Sequence, residues 1–151
     1  MNVEVGSYRH TQKGAWALLL YVIAVAFLIV SWYVPLPALR IIFLVTGLFM
    51  FLLAASFHHL TVADEGNQLA IRFGPLPLFR KRIFYDDIRE VEAGRTSFLD
   101  GWGIHLSLRG GWVWNIWGRD CVIIRLKRGI IRVGTDDPDG LAAFLRNRIP
   151  T

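Results

Sequence analysis

The stretch AWALLLYVIAVAFLIVSWYV, Ala15 to Val34, is a run of 20 residues without a charged side chain. At about 1.5 Å rise per residue, a helix of this length crosses the roughly 30 Å hydrocarbon core of a bilayer. Ile41 to Phe57, IIFLVTGLFMFLLAASF, is a second such run near the lower length limit, and it can extend into Ala38, Leu39, His58 and His59. The two read as transmembrane helices over 15–34 and 38–58. Between them Val34-Pro35-Leu36-Pro37 forces a turn, because proline lacks an amide donor and disfavours helix in the residue before it. So short a connection makes an antiparallel hairpin over 15–59 and leaves both chain ends on one side.

These runs account for the composition. Of 151 residues, 54% are hydrophobic and 19% charged, which is too apolar for disorder. The single cysteine, Cys121, excludes a disulfide framework within the chain and a cysteine-rich metal site. Lys and Arg favour the cytoplasmic side of a span. Arg9 and Lys13 precede the first run and only Arg40 lies in the connection, so segment 1–14 and the region after the hairpin are expected in the cytoplasm. Trp16, Trp32 and Tyr33 fit the aromatic preference for the two interfaces. A cleaved signal peptide is the competing reading of the first run. Its apolar region would span only about 7 to 15 residues, and Ala24-Val25-Ala26 would put the cleavage-like site in mid-run.

From Leu60 the apolar period changes to two. Leu60 and Val62, then Leu69, Ile71 and Phe73, flank the turn Asp64-Glu65-Gly66-Asn67 as a β-hairpin. Short strands follow over 82–91, with another starting near Ile88, and then over 104–108, 112–117, 121–126 and 130–133, separated by glycine-containing turns. Asp136-Asp137-Pro138-Asp139 then starts a helix, with a carboxylate cap, proline at the first helical position and acidic charge at the positive end of the dipole. Leu141, Phe144, Leu145 and Ile149 make its apolar stripe. The expectation is about seven antiparallel strands in a sandwich or barrel, closed by a C-terminal helix, over 60–151.

Three segments carry a family resemblance: FRKRIFYDDIREVEAG (Phe79 to Gly94), GWGI (Gly101 to Ile104) and IRVGTDDPDGLAAFL (Ile131 to Leu145). Residues 60–151 resemble a bacterial pleckstrin-homology-like (PH-like) domain, anchored here by two helices. The resemblance implies a seven-stranded, partly open barrel plugged by the last helix, placed at the bacterial inner membrane, with binding and assembly roles rather than catalysis. Many lipid-binding relatives carry a basic loop between their first two strands. Here that loop is Asp64-Glu65-Gly66-Asn67, so phosphoinositide recognition at it does not carry over.

No residue set demands chemistry. Cys121 falls inside a strand, and His105 with Ser97 and Asp100 is near in sequence without implying a triad. Asp136-Asp137 are explained by capping, and Asp86-Asp87 lie at a strand boundary, so no metal is expected. His58-His59 sit where the second span reaches the interface and point about 100° apart, so no cofactor is expected there. Gly47 has no glycine four positions away, which removes the helix-dimer motif. Two surface candidates remain. Arg80, Lys81 and Arg82 follow the apolar loop Pro75 to Phe79 and suit anionic lipid headgroups. Trp102, Trp112, Trp114 and Trp117 are either core or a partner surface.

Residues 60–151 carry 14 basic and 11 acidic side chains, too small a surplus for nucleic acid. The expected function is therefore a non-catalytic adaptor at the cytoplasmic membrane face that binds membrane lipid, another membrane protein or a second copy. The alternative is an accessory or assembly subunit recruited through its hairpin.

Overall fold

A computed structural model describes residues 7–97, 100, 101 and 103–149. Helix α1 spans Trp16–Tyr33 and α2 spans Pro37–Ser56, each uninterrupted by a charge except Arg40 in the first turn of α2. Pro37 sits in that first turn, where its missing amide leaves no bond unmade. Both helices are long and apolar enough to cross a membrane, and only 17% of each apolar window is buried inside the protein. Leu18, Val22, Val25 and Ile29 of α1 and Ile42, Val45, Leu48 and Phe49 of α2 face outward.

The contact between the helices is built from small residues seven apart. Ala17, Ala24 and Ser31 of α1 are buried, as are Gly47 and Ala54 of α2. A seven-residue repeat keeps one seam facing the partner helix. A Cβ on Gly47 would lie 2.9 Å from the Leu28 side chain and 3.1 Å from the Ala24 carbonyl, so the close approach needs glycine. Gly47 thus serves a contact within the hairpin, a role outside the dimer motif sought in the sequence.

Nine strands are present among the described residues, against about seven expected. They are β1 (Arg9–Lys13), β2 (His59–Asp64), β3 (Gln68–Gly74), β4 (Arg80–Phe84), β5 (Ile88–Arg95), β6 (Gly103–Leu106), β7 (Trp112–Asn115), β8 (Asp120–Leu126) and β9 (Ile130–Gly134). They form two open sheets, ordered β1-β2-β3-β4 and β5-β8-β9-β7-β6. A single turn of 3₁₀ helix, Tyr85–Asp87, joins the sheets and splits the run expected over 82–91. The all-antiparallel expectation also fails at one place. The β8–β9 hairpin inserts β9 between β8 and β7, so β7 and β9 pair in parallel. Strand β1 lies before the helices and pairs antiparallel with β2 after them, so segment 9–13 belongs to the first sheet.

The sheets enclose one core. Leu60, Leu69, Ile71 and Phe73 from the first meet Trp114, Val122, Ile124 and Val133 from the second. Helix α3 (Pro138–Arg146) adds Leu141 and Leu145 and packs along β5 and β8. Its start is capped as expected: the Asp137 carboxylate accepts from the Gly140 amide at 3.2 Å. Beyond its end Arg148 donates to Asp64 at 2.7 Å, and its guanidinium lies 5.2 Å from the Phe144 ring centroid. That pair ties the chain's C-terminal part to the first sheet.

The Gly47 contact sets a test. Gly47→Leu is expected to lower the stability of the detergent-solubilised chain by about 1–3 kcal/mol through overpacking, read as a lower melting temperature. The outward-facing substitution Leu48→Ala should leave the melting temperature nearly unchanged.

Candidate functional site

The helices leave the first sheet from one end. Lys13 and His59 are register partners, and the Gly14 amide donates to the His58 carbonyl at 2.9 Å, just before α1 and just after α2. From that end side chains alternate between two faces. The inner face carries Leu60, Val62, Leu69, Ile71, Phe73 and Ile83, all in the core. The outer face carries one register row of Thr11, Thr61, Arg72 and Arg80, and beyond it a row of Arg9, Ala63, Ala70 and Arg82. Thr11 and Thr61 share a 2.8 Å hydroxyl hydrogen bond across β1 and β2.

The expected patch is thereby divided. Arg80 and Arg82 point outward together, while Lys81 pairs with Ile71 and falls on the inner side at the exposed edge of β4. The outer face gains Arg72, Arg9 and Lys13, all exposed. Glu65, in the β2–β3 turn, pairs with Arg72 and lies 3.8 Å from Arg82. The rest of that turn is engaged: Asp64 accepts from the Gly66 amide at 2.9 Å and the Tyr85 hydroxyl at 2.7 Å, besides Arg148.

Below the basic rows lies the β3–β4 loop. Leu76, Leu78 and Phe79 are exposed, and the Phe79 ring stands 5.2 Å from Phe57 at the end of α2. An open cleft of about 340 Å³ beside the start of α1 is lined by Lys13, Ala17, Leu18, Tyr21 and His58 among others. His59 lies against Gly74, where a Cβ would come within 2.6 Å of the imidazole Nε2. Burial, reinforced by His58 and Lys13 nearby, lowers the His59 pKa.

The three described candidate tryptophans, Trp112, Trp114 and Trp117, occupy different settings. Trp114 is 9% exposed and packs 5.9 Å from Phe73, so it is core. Trp117 is 39% exposed and meets Trp16 of α1 edge-on at 6.2 Å, joining the second sheet to the helix base. Trp112, 48% exposed, lies at the far end of β7 with exposed Leu106 and Leu108. Trp102 lies outside the described residues.

The remaining candidates fall into structural settings. The Asp100 carboxylate accepts from the Ser97 amide at 2.8 Å and is hydrogen-bonded by the Ser107 side chain. His105 Nε2 has no hydrogen-bond partner among the described residues, so His105, Ser97 and Asp100 are not strung into a proton relay. Burial works to raise the Asp100 pKa. The Ser107 and Ser97 hydrogen bonds, with Arg132 and His105 nearby, outweigh it and hold the carboxyl below its ordinary value. Cys121 is fully buried and its thiol is pushed up to about 11 by burial. Asp136 pairs with His10, and Asp137 accepts from the Tyr8 hydroxyl at 3.1 Å, tying the segment before β1 to the start of α3. No group of three His, Cys, Asp or Glu side chains able to hold a metal occurs among the described residues.

The outer face was hard to see in the sequence because Arg9, Lys13 and Arg72 join it only through register. RHTQK has no apolar alternation to mark it as a strand, and Gln12 alone among its residues is buried. No protein-family model matches the chain, and no curated protein matches it.

Two measurements check these settings. Cys121 is expected to resist maleimide at neutral pH in the folded protein and to react fully on denaturation, since only the thiolate attacks. For Asp100 the folded-state pKa is depressed, so the carboxylate contributes stability above about pH 4. That contribution is lost as pH falls through the folded value. Melting temperature should fall over that acid range, and Asp100→Asn should flatten the dependence.

Proposed function

We propose that this chain is a membrane-anchored adaptor whose PH-like domain stands on the cytoplasmic face of a bacterial inner membrane and binds a protein partner or leaflet lipid there, without catalysis. One observation carries the reading. The helical hairpin is inserted between two paired strands of one sheet, so the domain is joined to its anchor by two short connections, Gly14-Ala15 and Phe57-His58. A domain held this way keeps one orientation toward the membrane, and confinement raises its effective concentration near other membrane proteins. The outward-facing apolar side chains of α1 and α2 support the anchor. Lys13 at the start of α1 and the basic outer face support the cytoplasmic side. The two-sheet core with its closing C-terminal helix supports the PH-like kinship.

The adaptor reading has a direct experiment. With residues 15–57 replaced by an unrelated two-helix anchor, proteins captured after mild detergent extraction should be the same as with the natural chain. Loss of those proteins with the domain still folded would favour a subunit recruited through its hairpin. A reporter fused after residue 151 that is active only outside the cytoplasm should stay silent.

A further inference from the structure

We infer that the outer face of the four-stranded sheet, together with the apolar β3–β4 loop beneath it, is a binding surface for anionic phospholipid headgroups of the leaflet on which the domain stands. This rests on the membrane-anchored reading above and adds the ligand and the residues.

The charge distribution is the first support. Five basic side chains, Arg9, Lys13, Arg72, Arg80 and Arg82, share this face with one acid, Glu65, leaving +4. Arg9, Lys13 and Arg80 form no ion pair among the described residues. On the second sheet two of the strand cations are held by acids, Arg125 by Glu90 at 3.1 Å and Glu92 at 3.3 Å and Arg95 by Asp120 at 2.7 Å, while Arg89 and Arg132 have no ion pair among the described residues. A solvated face of mixed sign would be the ordinary arrangement, and the first sheet departs from it.

Position is the second support. Lys13 lies level with the end of the sheet from which the helices depart, and Arg72 and Arg80 are two residues further along their strands. At about 3.3 Å per residue that is about 7 Å of strand, comparable with the roughly 5–7 Å headgroup layer on each side of the hydrocarbon core. Arg9 and Arg82, two residues beyond, still lie within about one Debye length of that layer at physiological salt. Leu76 and Leu78 are exposed in the β3–β4 loop, whose Phe79 packs against Phe57 at the end of α2, where an apolar side chain can enter the acyl boundary while the cations meet phosphate. Neither acidic protein nor nucleic acid would call for these exposed leucines at the helix-proximal end.

The test uses the full chain reconstituted into bilayers containing a minority of phosphatidylglycerol in phosphatidylcholine, followed by gentle extraction and mass-spectrometric counting of bound lipids. The natural chain should retain phosphatidylglycerol above its bulk proportion. Raising salt until the Debye length falls to about 3 Å should reduce the excess. The variant Lys13→Gln, Arg72→Gln, Arg80→Gln, Arg82→Gln should lose it at least about fivefold, each charge near a surface contributing about that factor. A control with equal net charge, Arg95→Gln, Arg109→Gln, Arg125→Gln, Arg128→Gln, should keep the enrichment. All eight side chains are exposed, and equal melting temperatures verify folding. Retained enrichment in the first variant, or equal loss in the control, would overturn the proposal. So would unchanged lipid retention with loss of a captured acidic protein, which would make the face a protein-binding one. Failure of the adaptor reading would appear separately, as altered protein capture with the exchanged hairpin.

Discussion

The pairing of Lys13 with His59 is the constraint on which the rest of the structure depends. Adjacent strands lie about 4.8 Å apart, whereas packed helices stand about 8–10 Å apart. The chain must pass from one spacing to the other within Gly14-Ala15 on one side and Phe57-His58 on the other. Small residues make that transition possible. A Cβ on Gly14 would fall 2.7 Å from Ile116 and 3.1 Å from the Phe57 carbonyl, and Ala17, Ala54, Ala55 and Ser56 are buried where the helices begin to part. Higher in the hairpin, Gly47 against Ala24 keeps the seam close, while Phe27 against Phe43 fills the space beside it. Hairpin and domain are thus one packed object.

The domain end of this object is closed by polar contacts that cross long stretches of sequence. Tyr8 bonds the cap of α3, Arg148 bonds Asp64, and Arg146 donates to the Val91 carbonyl at 3.2 Å. The first joins the segment before β1 to the start of α3, and the other two join the last part of the chain to β2 and β5. Arg148 also lies over the Tyr85 and Phe144 rings, so the ion pair is shielded on one side by aromatic surface, where charge–charge attraction is less screened.

The helices and the helix cap were legible in the sequence because their signals are local. Twenty residues without charge specify a long apolar helix, and Asp137-Pro138 specifies a helix start whatever surrounds it. The strand periodicity of Leu69, Ile71 and Phe73 was equally direct. What could not be read was pairing. Strand β1 is polar throughout because it sits at an edge and buries only Gln12, whose side chain donates to the Trp117 carbonyl at 3.1 Å. The parallel neighbours β7 and β9 look like any other short strands. Consequently Arg80, Lys81 and Arg82 read as one patch, although period-two alternation sends Lys81 to the opposite face and register brings in Arg72, which lies eight positions before Arg80. Among the tryptophans, composition could not separate Trp114, which faces Phe73, from Trp112, which stands at the rim.

The insertion of the hairpin between β1 and β2 also orders events during synthesis. Lys13 leaves the ribosome 46 positions before His59, and everything between them is the hairpin and its connections. Until both helices have been made, β1 has no strand to bind, and it is too short and polar to fold by itself. If the helices enter the bilayer as proposed, the first sheet reaches its full width only after the second span has returned to the starting side. A chain whose second helix failed to insert would leave β2 without β1 as its neighbour and the Tyr8–Asp137 contact unmade, and would expose a strand edge of the kind that proteases and chaperones recognise. The topology makes completion of the domain a report on completion of the hairpin.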